Sequence, residues 1–152
     1  MSHLSKTLFI SLKTDYDEIE FLVKPKSVRI KWGEHIANSD KVQTFANLVR
    51  KYRKAYIGKG PDTIKVFFKD NWAIAHMTGS LSKVENFYLQ NKDFESMLKY
   101  GRTEEIKALY QKEPPTEMEE LVGAKFVKLF TDISLEDDEV VSIFVFDQNI
   151  EE

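Results

Sequence analysis

The sequence predicts an α+β protein in which antiparallel β-hairpins pack against one long amphipathic helix and several short ones. Three observations carry this. Apolar residues alternate with polar ones on either side of short turn sequences, a single stretch over 42–56 switches to three- and four-residue spacing, and capped short helical segments cluster between the hairpins.

At the amino end, Leu8, Ile10 and Leu12, then Ile19, Phe21 and Val23, flank Thr14-Asp15-Tyr16-Asp17 and read as a hairpin. Val28, Ile30 and Trp32 add a third strand after Pro25, so residues 1–37 are expected to form a β meander. Leu8 to Leu12 with Asp15, Asp17 and Glu18 echo Ile133-Ser134-Leu135 with Asp137, Asp138 and Glu139, as a degenerate repeat remnant would. From Asn38-Ser39-Asp40 onward, Val42, Phe45, Ala46, Val49, Tyr52 and Tyr56 define one amphipathic helix that stops at Gly58. Gly58-Lys59-Gly60-Pro61 leads into a hairpin of Ile64 to Phe68 and Trp72 to Thr78 about Asp70-Asn71. These strands are apolar enough to be central and covered on at least one face.

Ser82-Lys83-Val84-Glu85 has capping-box spacing, in which serine and glutamate satisfy the free amides of a helix start. Helices are expected through Val84, Phe87 and Tyr88, through Phe94, Met97 and Leu98 up to Gly101, and through Ile106, Leu109 and Tyr110 up to Pro114-Pro115. Thr116-Glu117-Met118-Glu119 repeats the capping-box spacing before Leu121 and Val122. Phe126 to Phe130 and Val140 to Phe146 are the last two strands, joined through the acidic stretch Asp132 to Glu139. Residues 1–37 and 38–152 are expected to make one folded unit.

With 152 residues, 42% hydrophobic and 31% charged, the chain is long enough to bury a single core of its own. It has no cysteine, which excludes disulfides, thiolate catalysis and cysteine-ligated metals and suits the cytoplasm. Neither a signal peptide nor a membrane-crossing run is legible. The net charge of −3 argues against nucleic acid as the main ligand.

No catalytic signature appears. His3, His35 and His76 lack metal-ligand spacing, and the acidic cluster from Asp132 to Glu139 lacks the alternating pattern and the turn glycine of a calcium loop. Gly58-Lys59-Gly60-Pro61 matches neither phosphate-binding fingerprint and precedes a strand rather than a helix. No metal or cofactor is therefore expected. What stands out is the charge layout. Residues 41–69 hold eight basic residues and one acidic, whereas 132–152 hold eight acidic and no basic. Cations at a helix end are favoured by the macrodipole, by about 0.3–1 kcal/mol each, so folding accounts for part of the basic patch. The expected binding surface is Arg50, Lys51, Arg53, Lys54, Lys59 and Gly60, with Arg102 added for a small anion. Opposite patches also fit a homodimer.

Val49-Arg50-Lys51, the run Tyr56-Ile57-Gly58-Lys59-Gly60-Pro61, Ile64 to Phe67, Thr78-Gly79-Ser80-Leu81-Ser82, Gly101-Arg102, Val122-Gly123-Ala124-Lys125-Phe126-Val127 and the acidic Asp132 to Asp138 together resemble the MpsC family, over about residues 38–147. Two departures stand beside the resemblance. Pro114-Pro115 splits a helix that usually runs unbroken in the family, and residues 1–37 fall outside the match. The resemblance implies a small cytoplasmic bacterial accessory of a membrane-associated, cation-translocating system, and brings no catalytic residues. The sequence reading is thus a non-enzymatic accessory or regulatory protein working by protein contact. A small-anion or nucleotide sensor, and a nucleic-acid-binding module using Tyr52 and Tyr56, are the alternatives.

Overall fold

A computed structural model describes residues 38–151 of the chain. The expected meander of residues 1–37, and the acidic echo that involves it, lie outside the described residues.

A helix, α1, runs through 38–57 and lays Phe45, Ala46 and Val49 fully against the core. Gly58 ends it in the left-handed region at φ 88°, where an amide from the helix-terminating residue reaches Lys54 O at 2.9 Å. Two strands follow, β1 (Thr63–Lys69) and β2 (Trp72–Thr78), paired antiparallel about Asp70-Asn71, with Asp70 at φ 53°.

The chain then makes a helical excursion: α2 (Lys83–Tyr88), a 3₁₀ turn (Lys92–Phe94), α3 (Glu95–Tyr100), a π-helical turn (Gly101–Glu105), α4 (Ile106–Lys112) and α5 (Thr116–Val122). It returns as β3 (Phe126–Ser134) and β4 (Glu139–Phe146). The sheet order is β1-β2-β4-β3, antiparallel throughout, so the returning β4 seats beside β2. This is the expected α+β class. Of the two strands read as central, β2 is, and β1 is an edge strand.

One sheet face makes the core with α1 and the later helices. Val66, Ala73, Ala75, Met77, Leu129, Ile133, Val140 and Phe144 point into it. Phe45 meets Phe68 and Phe144 edge-on, with ring centroids 5.5 and 5.4 Å apart, and Tyr110 meets Phe144 edge-on at 5.4 Å. Such pairs add about 0.5–1.5 kcal/mol each beyond the area they bury.

The structure corrects three boundaries. Gly101 does not stop α3: its φ of −61° and ψ of −38° are helical, and the chain continues through the π turn because Ile106 and Tyr110 beyond it are buried. Strand β3 runs on to Ser134, so the acidic connection is the short turn Leu135 to Asp138 rather than all of Asp132 to Glu139.

The third concerns the second capping box, which does not form. Pro115 is the N-cap of α5, without a side-chain cap bond, and Glu119 turns to the strand instead. Its carboxylate, on a side chain 10% exposed, accepts from Phe126 N at 2.8 Å and Lys125 Nζ at 3.2 Å. Removing it strands a backbone donor, so Glu119→Ala should cost about 1–3 kcal/mol, and Glu119→Gln, which keeps an acceptor, much less. Urea unfolding of the two variants checks this; equal losses would mean that the carbonyl oxygen is not what the site uses.

Candidate functional site

The basic residues singled out by sequence do not form one surface. Arg53 is 1% exposed and points inward to the sheet, where Nη2 donates to Ser142 Oγ at 2.8 Å and Thr131 Oγ1 at 3.4 Å. Its Nε and Nη1 have no hydrogen-bond partner, and burial lowers its pKa to about 10. It cannot belong to an exposed binding face. Lys51 pairs with Glu117 at 2.6 Å, Arg50 donates to Pro61 O and Asn47 Oδ1, and Lys54 faces solvent. The close approach of Arg50 explains Gly60, where a Cβ would sit 2.8 Å from Arg50 Cγ. The charge asymmetry is partly met within the chain, since Lys69 of the basic stretch pairs with Glu151 of the acidic one at 3.3 Å.

Lys59 and Arg102, grouped from sequence as anion ligands, do converge, but on backbone. Lys59 Nζ donates to Gly79 O at 2.6 Å and Leu81 O at 3.2 Å, while Arg102 Nη2 donates to Ser80 O at 2.7 Å between them. From the other side the Asp138 carboxylate accepts from Ser80 N at 2.8 Å and Leu81 N at 3.0 Å. Thus the 79–81 segment is held by two cations on its carbonyls and one carboxylate on its amides. Asp138, which the sequence places in the acidic connection between the last two strands, is structural here.

Arg102 also forms the principal buried ion pair. Its Nε and Nη2 each meet a Glu85 carboxylate oxygen at 2.8 Å, the two-pronged geometry that matches guanidinium to carboxylate. Glu85 is itself the capping-box residue: it accepts from Ser82 N at 2.7 Å, and Ser82 Oγ accepts from Glu85 N at 3.2 Å. Burial would raise the Glu85 pKa, but hydrogen bonds from Arg102 and Ser82 and the guanidinium charge outweigh it and leave the carboxyl below its ordinary value. The capping box was legible in the sequence; that its glutamate reaches an arginine 17 positions on was not.

This pair sits in the wall of a cavity of about 600 Å³. The cavity opens between the end of α1, α2, the 3₁₀ turn, α3, the π turn and α4. Its walls are mostly apolar: Ile57, Tyr88, Phe94, Leu98, Ile106 and Leu109, with Met97 at its edge. The π turn supplies Gly101, Arg102 and Glu105 to it. Single π turns within helices are uncommon and frequent at functional positions, because the extra residue re-aims the side chains after it. Arg102 Nη1 is buried with no partner.

The other unspent surface is the outer face of the sheet. The register sets Phe67, Ile74, Ile143 and Phe130 side by side across β1, β2, β4 and β3. Phe67 is 57% and Phe130 48% exposed, and Trp72 and Val141 extend the row. On this face His76 Nε2 lies 2.5 Å from Glu139 Oε1, a structural pairing across β2 and β4. Among the described residues no group of three or more His, Cys, Asp or Glu is arranged to hold a metal ion, and no helix is long and apolar enough to cross a membrane.

Comparison with known proteins finds no match among solved structures. The chain is similar to an uncharacterized Bacillus subtilis (strain 168) protein, YrhF, 43% identical over 114 residues that span 75% of this chain and 93% of the relative. Residues 38–148 match the family model described as the Na+-translocating membrane potential-generating system (MpsC). They cover all of the helix, sheet and cavity described above, and the chain belongs to the MpsC family.

Proposed function

We propose that this chain is a non-enzymatic, cytoplasmic accessory or regulatory protein that works by protein contact beside a membrane-associated ion-translocating complex. The family description supports the setting, and one observation supports the contact: the unbroken apolar row Phe67-Ile74-Ile143-Phe130 on the sheet face that no described helix covers. A contiguous exposed apolar patch is costly in water and characteristic of interaction surfaces. The basic helix end loses its claim, since Arg53 is buried and Lys51 and Lys59 are engaged within the chain.

The charges around the row describe the partner. Lys65 and Lys128 stand at two corners of the patch, while Lys69 and Asp132 at the other two are paired within the chain with Glu151 and Lys99. An apolar centre flanked by carboxylates is the complementary surface, with the charges setting orientation and encounter rate more than affinity.

The test is the double variant Phe67→Glu, Phe130→Glu. Both side chains are about half exposed, so Tm should move little, while co-purification of the partner from the native host should be lost. Unchanged co-purification would sink the reading. Sedimentation at low and high salt identifies the partner's kind. A species above 17.7 kDa that the double variant abolishes makes it a second copy of this chain; a monomer throughout leaves a different protein.

A further inference from the structure

The register of the outer sheet face reads alike from both edges, and that symmetry bears on what covers it. Three rows of side chains cross β1, β2, β4 and β3 in that order: Lys69-Trp72-Val145-Lys128, Phe67-Ile74-Ile143-Phe130 and Lys65-His76-Val141-Asp132. The central row is a palindrome of aromatic, isoleucine, isoleucine, aromatic. A two-fold axis parallel to the strands and passing between β2 and β4 sets this row against itself, with Phe67 on Phe130 of a second copy and Ile74 on its Ile143. Homodimers bring one patch onto itself in this way, and aligned strands are a common mode of sheet-on-sheet packing.

The flanking rows agree with the same axis. It lays β1 on β3 of the second copy, so Lys65 meets Asp132, and the symmetry makes that contact twice. Asp132 keeps 74% of its side chain exposed although Lys99 lies 3.5 Å away, which leaves it room for a second cation. Trp72, 43% exposed, meets the small and recessed Val145, 7% exposed. Lys128 meets Lys69, but that lysine carries Glu151 at 3.3 Å, so the contact is with an ion pair rather than a bare cation. An axis along the central row instead would set Trp72 on His76, bulk upon bulk, and Lys65 on Lys69.

We infer that the outer face binds a second copy of this chain, sheet to sheet about a two-fold axis parallel to the strands, with Lys65 paired to Asp132 of the other copy at both edges. This rests on the reading of that face as the contact surface and names its occupant.

Sedimentation equilibrium of the full chain over a range of concentrations tests it. A species of twice 17.7 kDa should form, and Phe67→Glu with Phe130→Glu should abolish it. Exposed ion pairs are individually weak, but each reversal replaces two attractions by two repulsions. Lys65→Glu and Asp132→Lys should therefore each raise the dimer dissociation constant about tenfold. The two together should restore it. Lys65 and Asp132 stand on opposite edge strands of one sheet, so that rescue has to act between copies. Tm of the isolated chains should move little, since both side chains are exposed. A chain that stays at 17.7 kDa at every concentration overturns the inference. If the Phe67→Glu, Phe130→Glu variant then still loses the host partner, the contact-face reading survives and only the second copy falls. A dimer that this variant leaves intact, a dimer that Lys65→Glu tightens, as the axis along the central row requires, or a charge swap that fails to restore association also overturns it.

Discussion

Arg102→Ala should lower the unfolding free energy by about 3 kcal/mol, because deleting one member of a buried ion pair leaves the other charged and uncompensated. Glu85 keeps some contact with solvent, its side chain being 18% exposed, which holds the loss below that of a fully enclosed pair. The guanidinium does more than neutralise a carboxylate. It supplies two parallel bonds to Glu85 and one to Ser80 O, so its removal also loosens the 79–81 segment that Lys59 and Asp138 hold from other sides. Arg102→Lys keeps the charge but cannot make the two-pronged contact and should lose about 1–2 kcal/mol. Urea denaturation midpoints of the three proteins measure this order. A lysine variant as stable as the parent would show that charge alone matters.

The same pair carries a pH dependence of fixed sign. Glu85 has a folded-state pKa below the ordinary 4.5, because Arg102 and Ser82 favour its ionised form more than burial opposes it. A depressed carboxyl pKa means that the unfolded chain binds the proton more readily. Its stabilisation is therefore present above 4.5 and is lost as pH falls through the lower folded value. The stability difference between parent and Arg102→Ala should be constant near neutrality and shrink as pH drops below 4.5. A difference that grows in acid would contradict the assignment.

The elements read correctly from sequence are those whose local chemistry and tertiary environment agree. The β1-β2 hairpin alternates about a two-residue turn, α1 shows its stripe until Gly58, and Ser82 with Glu85 forms the expected capping box. The misread positions are those where a polar side chain does tertiary work. Thr131 is buried against Ser142 at 2.7 Å, so β3's inward set of Leu129, Thr131 and Ile133 looked broken after Phe130 and the strand was ended too early. Glu119 carries capping-box spacing but is drawn to Phe126 N, since that strand amide needs an acceptor.

Arg53 stands four residues after Val49, on the inner stripe of α1, yet its charge placed it with its solvent-facing neighbours. The cavity had a partial signal in Gly101-Arg102. The partner Glu85 and the aromatic walls come from elements whose arrangement depends on the sheet order, in which β4 inserts beside β2 only after the helical excursion. The row on the outer face was visible as unusually apolar strands, but which side would stay open was not. That choice is made by where α1 and the excursion pack.

Arg53→Met is expected to act in the opposite direction, raising the unfolding free energy by about 1–3 kcal/mol, since a buried charge without an ionic partner costs more than its contacts return. The local reasons are specific. Two of the three guanidinium nitrogens have no partner, and burial, with a smaller like-charge contribution from Arg102, brings the pKa down to about 10. The two hydroxyls that Arg53 Nη2 reaches already hydrogen-bond each other across β3 and β4 and would stay satisfied without it. Methionine follows the same unbranched path and adapts to the space between α1 and the sheet. Thermal unfolding should show Tm rising by about 5 °C. A fall would mean that the two hydroxyl contacts and the aliphatic stem outweigh the desolvation of the charge, and that the guanidinium is a net strut between α1 and the sheet.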